Sequence, residues 1–208
     1  MCAGGPGAGL PIYCLIARFA RFNRLLLPLA LKSTIFKINL QVADMDRNYY
    51  ADHALTVACH PSETPERMMV RVLAFALNAH ERLGFGKGLS DVDDPDLGLK
   101  DLTGRTELWI EVGLPDDKTV LKACGRADQV KIYAYGSSTP MWWKSTGPKL
   151  ERGRNLEVIH VASESTQALA KLAKRTVELQ CTIQDGEVWM RDDTESVQVL
   201  STQLKGTA

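Results

Sequence analysis

The stretch Pro95–Gly113 (PDLGLKDLTGRTELWIEVG) limits the possible folds of this chain more than any other. Leu108, Ile110 and Val112 alternate with Glu107, Trp109 and Glu111, the two-residue period of a strand that buries one face. Leu97 and Leu99 repeat the pattern more briefly against Asp96, Gly98 and Lys100, and Thr103-Gly104 between the two runs reads as a turn. A hairpin in this register carries Asp96 and Glu111 onto one polar face of neighbouring strands. Two carboxylates on one rigid face are what a hard divalent cation needs.

Similar patterning extends on both sides. Phe36, Ile38, Leu40 and Val42 alternate with polar residues, turn through ADMDRN and return over Tyr49 to Cys59, which predicts an N-terminal hairpin. Thr64-Pro65-Glu66 has the form of an N-cap with proline at the first helical position. Met68, Met69, Val72, Leu73, Ala76, Leu77 and His80 then give the stripe of a helix ending near Gly84. Glu63 and Glu66 stand at its N-terminal end, where they also suit the helix dipole by some tenths of a kcal/mol. After Gly113, Leu114 to Asp117 opens a helix running to about Ala127, followed by a strand over Val130 to Tyr135, a short helix from Pro140 and a strand over Leu156 to Val161. Ser163 or Ser165 is positioned to cap the next helix. Val177 to Ile183 runs into Asp185-Gly186, a strong hairpin signal, and Val197 with Val199 reads as a closing edge strand.

Several motifs in this frame resemble those of the bacterial YaeQ family, notably ALKSTIFK, HPSETPERMM, DDPD, ELWIEVGLPD and TIQDGEVW, and the likeness covers the chain from about Leu29 onward. Pro95-Asp96, followed fifteen residues on by Glu111, also resembles the signature of the PD-(D/E)XK nucleases, of whose fold that family has a variant. The resemblance implies an α/β domain with a mixed β-sheet flanked by helices, a nuclease-like core, an N-terminal hairpin and a C-terminal strand-helix-hairpin extension. It further implies Mg²⁺ or Mn²⁺ held by Asp96, Glu111, the Val112 carbonyl and Glu63 or Glu66, and hydrolysis of DNA or RNA. One departure stands out: two positions after the glutamate, where those nucleases carry lysine, this chain has Gly113. Lys122 on the following helix is the nearest substitute cation, and Gln129 at the start of the next strand can orient a water. Without a substitute the fold becomes a catalytically silent relative, acting as a nucleic-acid-binding or regulatory protein.

Trp142 and Trp143 beside Lys144 and Lys149 pair aromatic faces with cations, a combination suited to single-stranded nucleic acid; equally, one tryptophan packs in the core and the lysines are solvated. Lys plus Arg and Asp plus Glu both number 25, which excludes indiscriminate polyanion binding and leaves only a local patch. At 45% apolar and 24% charged residues, the chain reads as soluble. Five widely spaced cysteines without a CxxC point to a reduced, cytoplasmic protein free of structural zinc. No GxSxG, P-loop or GxGxxG supports a serine-hydrolase, NTPase or dinucleotide reading. Residues 1 to 29 hold Arg18, Arg21 and Arg24 and no acid, and no apolar run there is long enough to span a bilayer. They read as an unstructured extension or an upstream start before a single domain over 30–208.

Overall fold

Among the residues described by the computed structural model, 33–86 and 94–206 together with Met1, eleven strands form two mixed sheets and four helices pack against them. The expectation for residues 1 to 29 lies outside the described residues. β1 (Thr34–Asp44) and β2 (Tyr49–Cys59) pair antiparallel over their full length. Ile38, Leu40, Val42 and Val57 are buried from one face, and Lys37, Asn39 and Gln41 lie on the other. β8 (Thr176–Gln184) runs parallel to β1, and β9 (Glu187–Arg191) and β10 (Ser196–Val199) complete a five-stranded sheet in the order β10-β9-β8-β1-β2. The turn from β8 to β9 takes positive φ at both Asp185 (52°) and Gly186 (76°), as a primed two-residue hairpin requires.

The second sheet contains the Pro95–Gly113 hairpin. β4 (Leu97–Lys100) and β5 (Thr106–Val112) pair antiparallel, β3 (Leu83–Phe85) flanks β4, and β6 (Ala127–Tyr135) and β7 (Leu156–Val161) continue parallel from β5. Parallel neighbours need crossovers, supplied by α2 (Asp117–Cys124) and α3 (Thr139–Leu150). α1 (Pro65–Leu77) and α4 (Ser163–Lys171) share one apolar core with the inner faces of both sheets, including Ile38, Val57, Leu179, Leu108, Ile110 and Val112. On the opposite face of the six-stranded sheet, Trp109, Val130, Ile132 and Val158 pack with Val120, Ala123 and Leu150 of α2 and α3.

α1 explains much of this layering. Thr64 Oγ1 accepts the Arg67 N–H at 3.1 Å, a cap worth about 1 kcal/mol. Met68, Met69, Val72 and Leu73 are each fully buried, at about 1.5–3 kcal/mol apiece, so packing between the sheets and not capping holds the helix. Every residue from Met68 to Ala76 is buried, the pattern of a helix covered on all sides.

The structure corrects the sequence reading at several points. The expected single sheet is two, because the N-terminal hairpin pairs with β8 and not with β5 or β6. α1 stops at Leu77 instead of Gly84: Asn78 donates its amide to the Ala74 carbonyl and to Tyr133 Oη, and residues 83–85 go to β3. α2 ends at Cys124, so β6 begins three residues before Val130. Neither Ser163 nor Ser165 caps α4; Ser165 Oγ instead donates to the Gln198 carbonyl and accepts the Leu200 N–H. Val199 does not close the chain, which continues into β11 (Ser201–Lys205) on the edge of the six-stranded sheet beside β7.

Candidate functional site

The hairpin register decides what Asp96 and Glu111 do. Leu97 pairs with Ile110, which puts Asp96 across from Glu111 at the C-terminal end of β5, next to the first turn of α1. Asp96 is 3% exposed, and its Oδ2 accepts the Val112 N–H at 2.8 Å. Arg67 Nη2 reaches both Asp96 oxygens at 2.8 Å, and Nη1 reaches Glu63 Oε1 at 2.9 Å. Arg71, 1% exposed, forks onto Glu63 through Nε and Nη2, both at 2.8 Å, and donates to the Ala58 carbonyl. Asp96, Arg67, Glu63 and Arg71 thus form one buried chain in which two acids meet two guanidinium groups. Burial works against the charge of Arg67, yet Asp96 and Glu63 outweigh it and its pKa rises.

Glu111 is left outside this pairing. Trp109 Nε1 donates to its Oε1 at 2.8 Å, but burial, and then the charge of Asp96, push its carboxyl up to about 7. Tyr135, near the same end of β6, is raised chiefly by its own burial. Glu66 faces elsewhere, accepting the hydroxyl of Thr166 on α4. β5 and β6 both end in glycines with positive φ, Gly113 at 117° and Gly136 at 90°. A side chain at Gly113 would meet open space, so strain and not crowding opposes one there.

Of the residues expected to hold a metal, the structure therefore brings Asp96, Glu111 and Glu63 to one region and turns Glu66 away. It is the amide of Val112 that engages Asp96. Among the described residues no group of three or more His, Cys, Asp or Glu side chains is arranged to hold an ion. The donor set does not fit a divalent cation: both oxygens of Asp96 and both of Glu63 already accept from guanidinium groups. Lys122 lies in the last turn of α2, which leads into the start of β6 beside Thr106, the end of β5 remote from Glu111. Gln129 sits across from Leu108, three residues before Glu111 along the sheet.

The aromatic and basic quartet is divided by α3. Trp142 and Lys149, two turns apart, face α2: Trp142 Nε1 donates to the Pro115 carbonyl at 2.9 Å and Lys149 Nζ lies 3.4 Å from Asp117 Oδ1. Trp143 and Lys144 face β11 instead, in a cleft of about 450 Å³ that they share with Gly147, Pro148, Glu151, Leu204 and Lys205. No motif in the sequence singles out Arg67, Arg71 or Lys205. The signal for Arg71 was an arginine inside an apolar helical run, which must find partners if buried, with Glu63 two turns before it. For Lys205 there was none, since β11 itself was not anticipated. Among the described residues no helix is long and apolar enough to cross a membrane.

A family model described as "YaeQ protein" matches residues 29–201. A relative from Escherichia coli (strain K12), itself called "Uncharacterized protein YaeQ", is 43% identical over 172 residues, covering 82% of this chain and 95% of the relative. The crystal structure of YaeQ protein from Xanthomonas axonopodis pv. citri superposes with a TM-score of 0.81 at 47% identity, covering 84% of this chain and 99% of that one. That of YaeQ protein from Pseudomonas syringae gives 0.81 at 38% identity, covering 84% and 97%.

Proposed function

The chain belongs to the YaeQ family, and from that premise we propose that it works by binding and not by hydrolysis, as a catalytically silent relative of the PD-(D/E)XK nucleases whose partner is nucleic acid. The observation that carries this reading is the position of Arg67, whose guanidinium sits on Asp96 and Glu63 where a cofactor cation would have to bind. An incoming ion would have to displace a buried arginine from two acids. Breaking one such buried pair by removing a partner costs about 3–5 kcal/mol, so the resident cation is strongly held. Gly113 adds support, since it offers no cation and its φ of 117° is one that lysine rarely adopts.

A second reading, metal-dependent phosphodiester hydrolysis on DNA or RNA, is favoured by the opposition of Asp96 and Glu111 on neighbouring strands, whose repulsion a cation would relieve. One experiment separates the two. Purified protein is incubated with single-stranded, duplex and structured DNA and RNA in Mg²⁺ or Mn²⁺, beside Glu111→Gln, while melting is followed with and without metal. We expect no cleavage above the variant and no metal-dependent rise in Tm at millimolar concentration. Cleavage lost in Glu111→Gln would make the hydrolytic reading the right one.

A further inference from the structure

We propose that the cleft between α3 and β11 is a binding site for single-stranded nucleic acid, with one base stacked on Trp143 and the adjoining phosphates on Lys144 and Lys205. This rests on the binding reading above and names where binding occurs.

Three features of the local chain build the cleft. Gly147 lies one turn after Trp143, and a methyl placed there would meet three atoms of the Trp143 ring at 3.1, 3.2 and 3.3 Å. Such near-equal distances mean that the ring lies flat along the helix over Gly147, and the half-buried Trp143, which also packs against the core beneath α2 and α3, lines the cleft. Pro148, inside α3, cannot donate to the carbonyl of Lys144, so the helix is weakened at the lysine itself. On the other wall, the β11–β7 register shifts between Gln203 and Lys205. Consecutive residues of a regular strand point to opposite faces, yet Leu204 and Lys205 both line this cleft, and the irregularity is what brings them to one side. The sequence thus spends a glycine, a proline and a bulge on bringing an aromatic face and two cations together.

The chemistry of the wall selects the ligand. Neither Lys144 nor Lys205 has a carboxylate within ion-pair distance among the described residues, in contrast to Lys149, which faces Asp117. Glu151 is the one acid lining the cleft, and exposed Arg152 and Arg154 follow it directly, so the patch is positive on a chain of zero net charge. A flat ring flanked by two lysines suits a base with its phosphates, and a cleft of about 450 Å³ has room for one nucleotide unit and not for a duplex. Continuation of the strand toward Arg152 and Arg154 would place further phosphates on cations.

The test is fluorescence anisotropy with a labelled oligothymidylate of about ten nucleotides, on the full chain, over a range of salt. We expect the double charge reversal Lys144→Glu/Lys205→Glu to weaken binding at least tenfold and to flatten its salt dependence, and Trp143→Leu to weaken it about tenfold. Gly147→Ala, which leaves every charge in place but lifts the ring, should weaken it less, and duplex of the same length should bind more weakly than the single strand. Lys37→Glu, one such reversal on the outer face of the five-stranded sheet, serves as the control and should bind as the parent does. If the double reversal matches Lys37→Glu, or if duplex is preferred, the cleft is not the site, while the binding reading survives. If the parent chain does not bind any single strand, the binding reading fails and this site with it.

Discussion

The end of β5 beside α1 and the cleft between α3 and β11 are both made of basic side chains next to acids and aromatic rings, yet they are opposite kinds of site. At the first, Arg67 and Arg71 are saturated by Asp96 and Glu63, and Arg71 and the acids are almost wholly out of solvent. At the second, Lys144 and Lys205 stand without ion-pair partners among the described residues, beside a ring held on the helix by a glycine. The difference teaches that a motif of acids at the right spacing does not make an open site. Burial obliges charges to satisfy one another, and a pair satisfied internally has little left for a ligand. Chemistry aimed outward is found where charge remains solvated.

The contrast breaks most readily at Arg71. Removing its guanidinium leaves Glu63 buried with one partner fewer, and Arg71→Ala should cost about 3–5 kcal/mol, read as a fall in the urea midpoint. A loss under 1 kcal/mol would mean that the buried chain of charges is solvated after all and the comparison is false.

A smaller effect is expected at Glu111. Its carboxyl titrates near 7 in the folded protein and near 4.5 when unfolded, so the native state keeps a proton that the unfolded state gives up between those values. The contribution of Glu111 to stability is therefore greatest below about pH 4.5, declines through the window and is smallest above about pH 7, by roughly 2–3 kcal/mol after allowing for partial exposure. Glu111→Gln should remove this slope, melting higher than the parent at pH 8 and nearly alike at pH 5. Equal pH profiles for the two proteins would show that Glu111 is not buried beside Asp96.

Least of all should happen to stability in the cleft. Lys144 is exposed and has no ion-pair partner among the described residues, so Lys144→Ala should move the unfolding free energy by no more than about 0.5 kcal/mol. A drop of 2 kcal/mol would show that the lysine is structural and that the two regions differ less than their geometry suggests.

Much of the fold was legible because alternation survives folding unchanged. The faces of β1 and β8, the Thr64 cap with Pro65, and the Asp185-Gly186 turn follow from side-chain period and backbone sterics over a few residues, whereas β5 keeps its alternation but is covered on both faces, Trp109 packing with α2 and α3. The opposition of Asp96 and Glu111 was legible for the same reason, since a hairpin register is local. What failed was set at longer range. The end of α1 turns on Asn78 meeting Tyr133, fifty-five residues on, and β11 takes its place from β7, some forty residues earlier.

By itself, then, the sequence determined which residues alternate, where the turns come and that the hairpin brings two acids together, because those outcomes depend on neighbours within a strand or a turn. The tertiary structure alone decided that the hairpins divide between two sheets, that Arg67 and Arg71 enclose the acids, and that Trp143 and Lys144 join Lys205 while Trp142 and Lys149 turn to α2. The physical reason is that a charged side chain has no intrinsic partner in sequence. Its partner is whichever opposite charge burial forces within reach, or water where burial forces none.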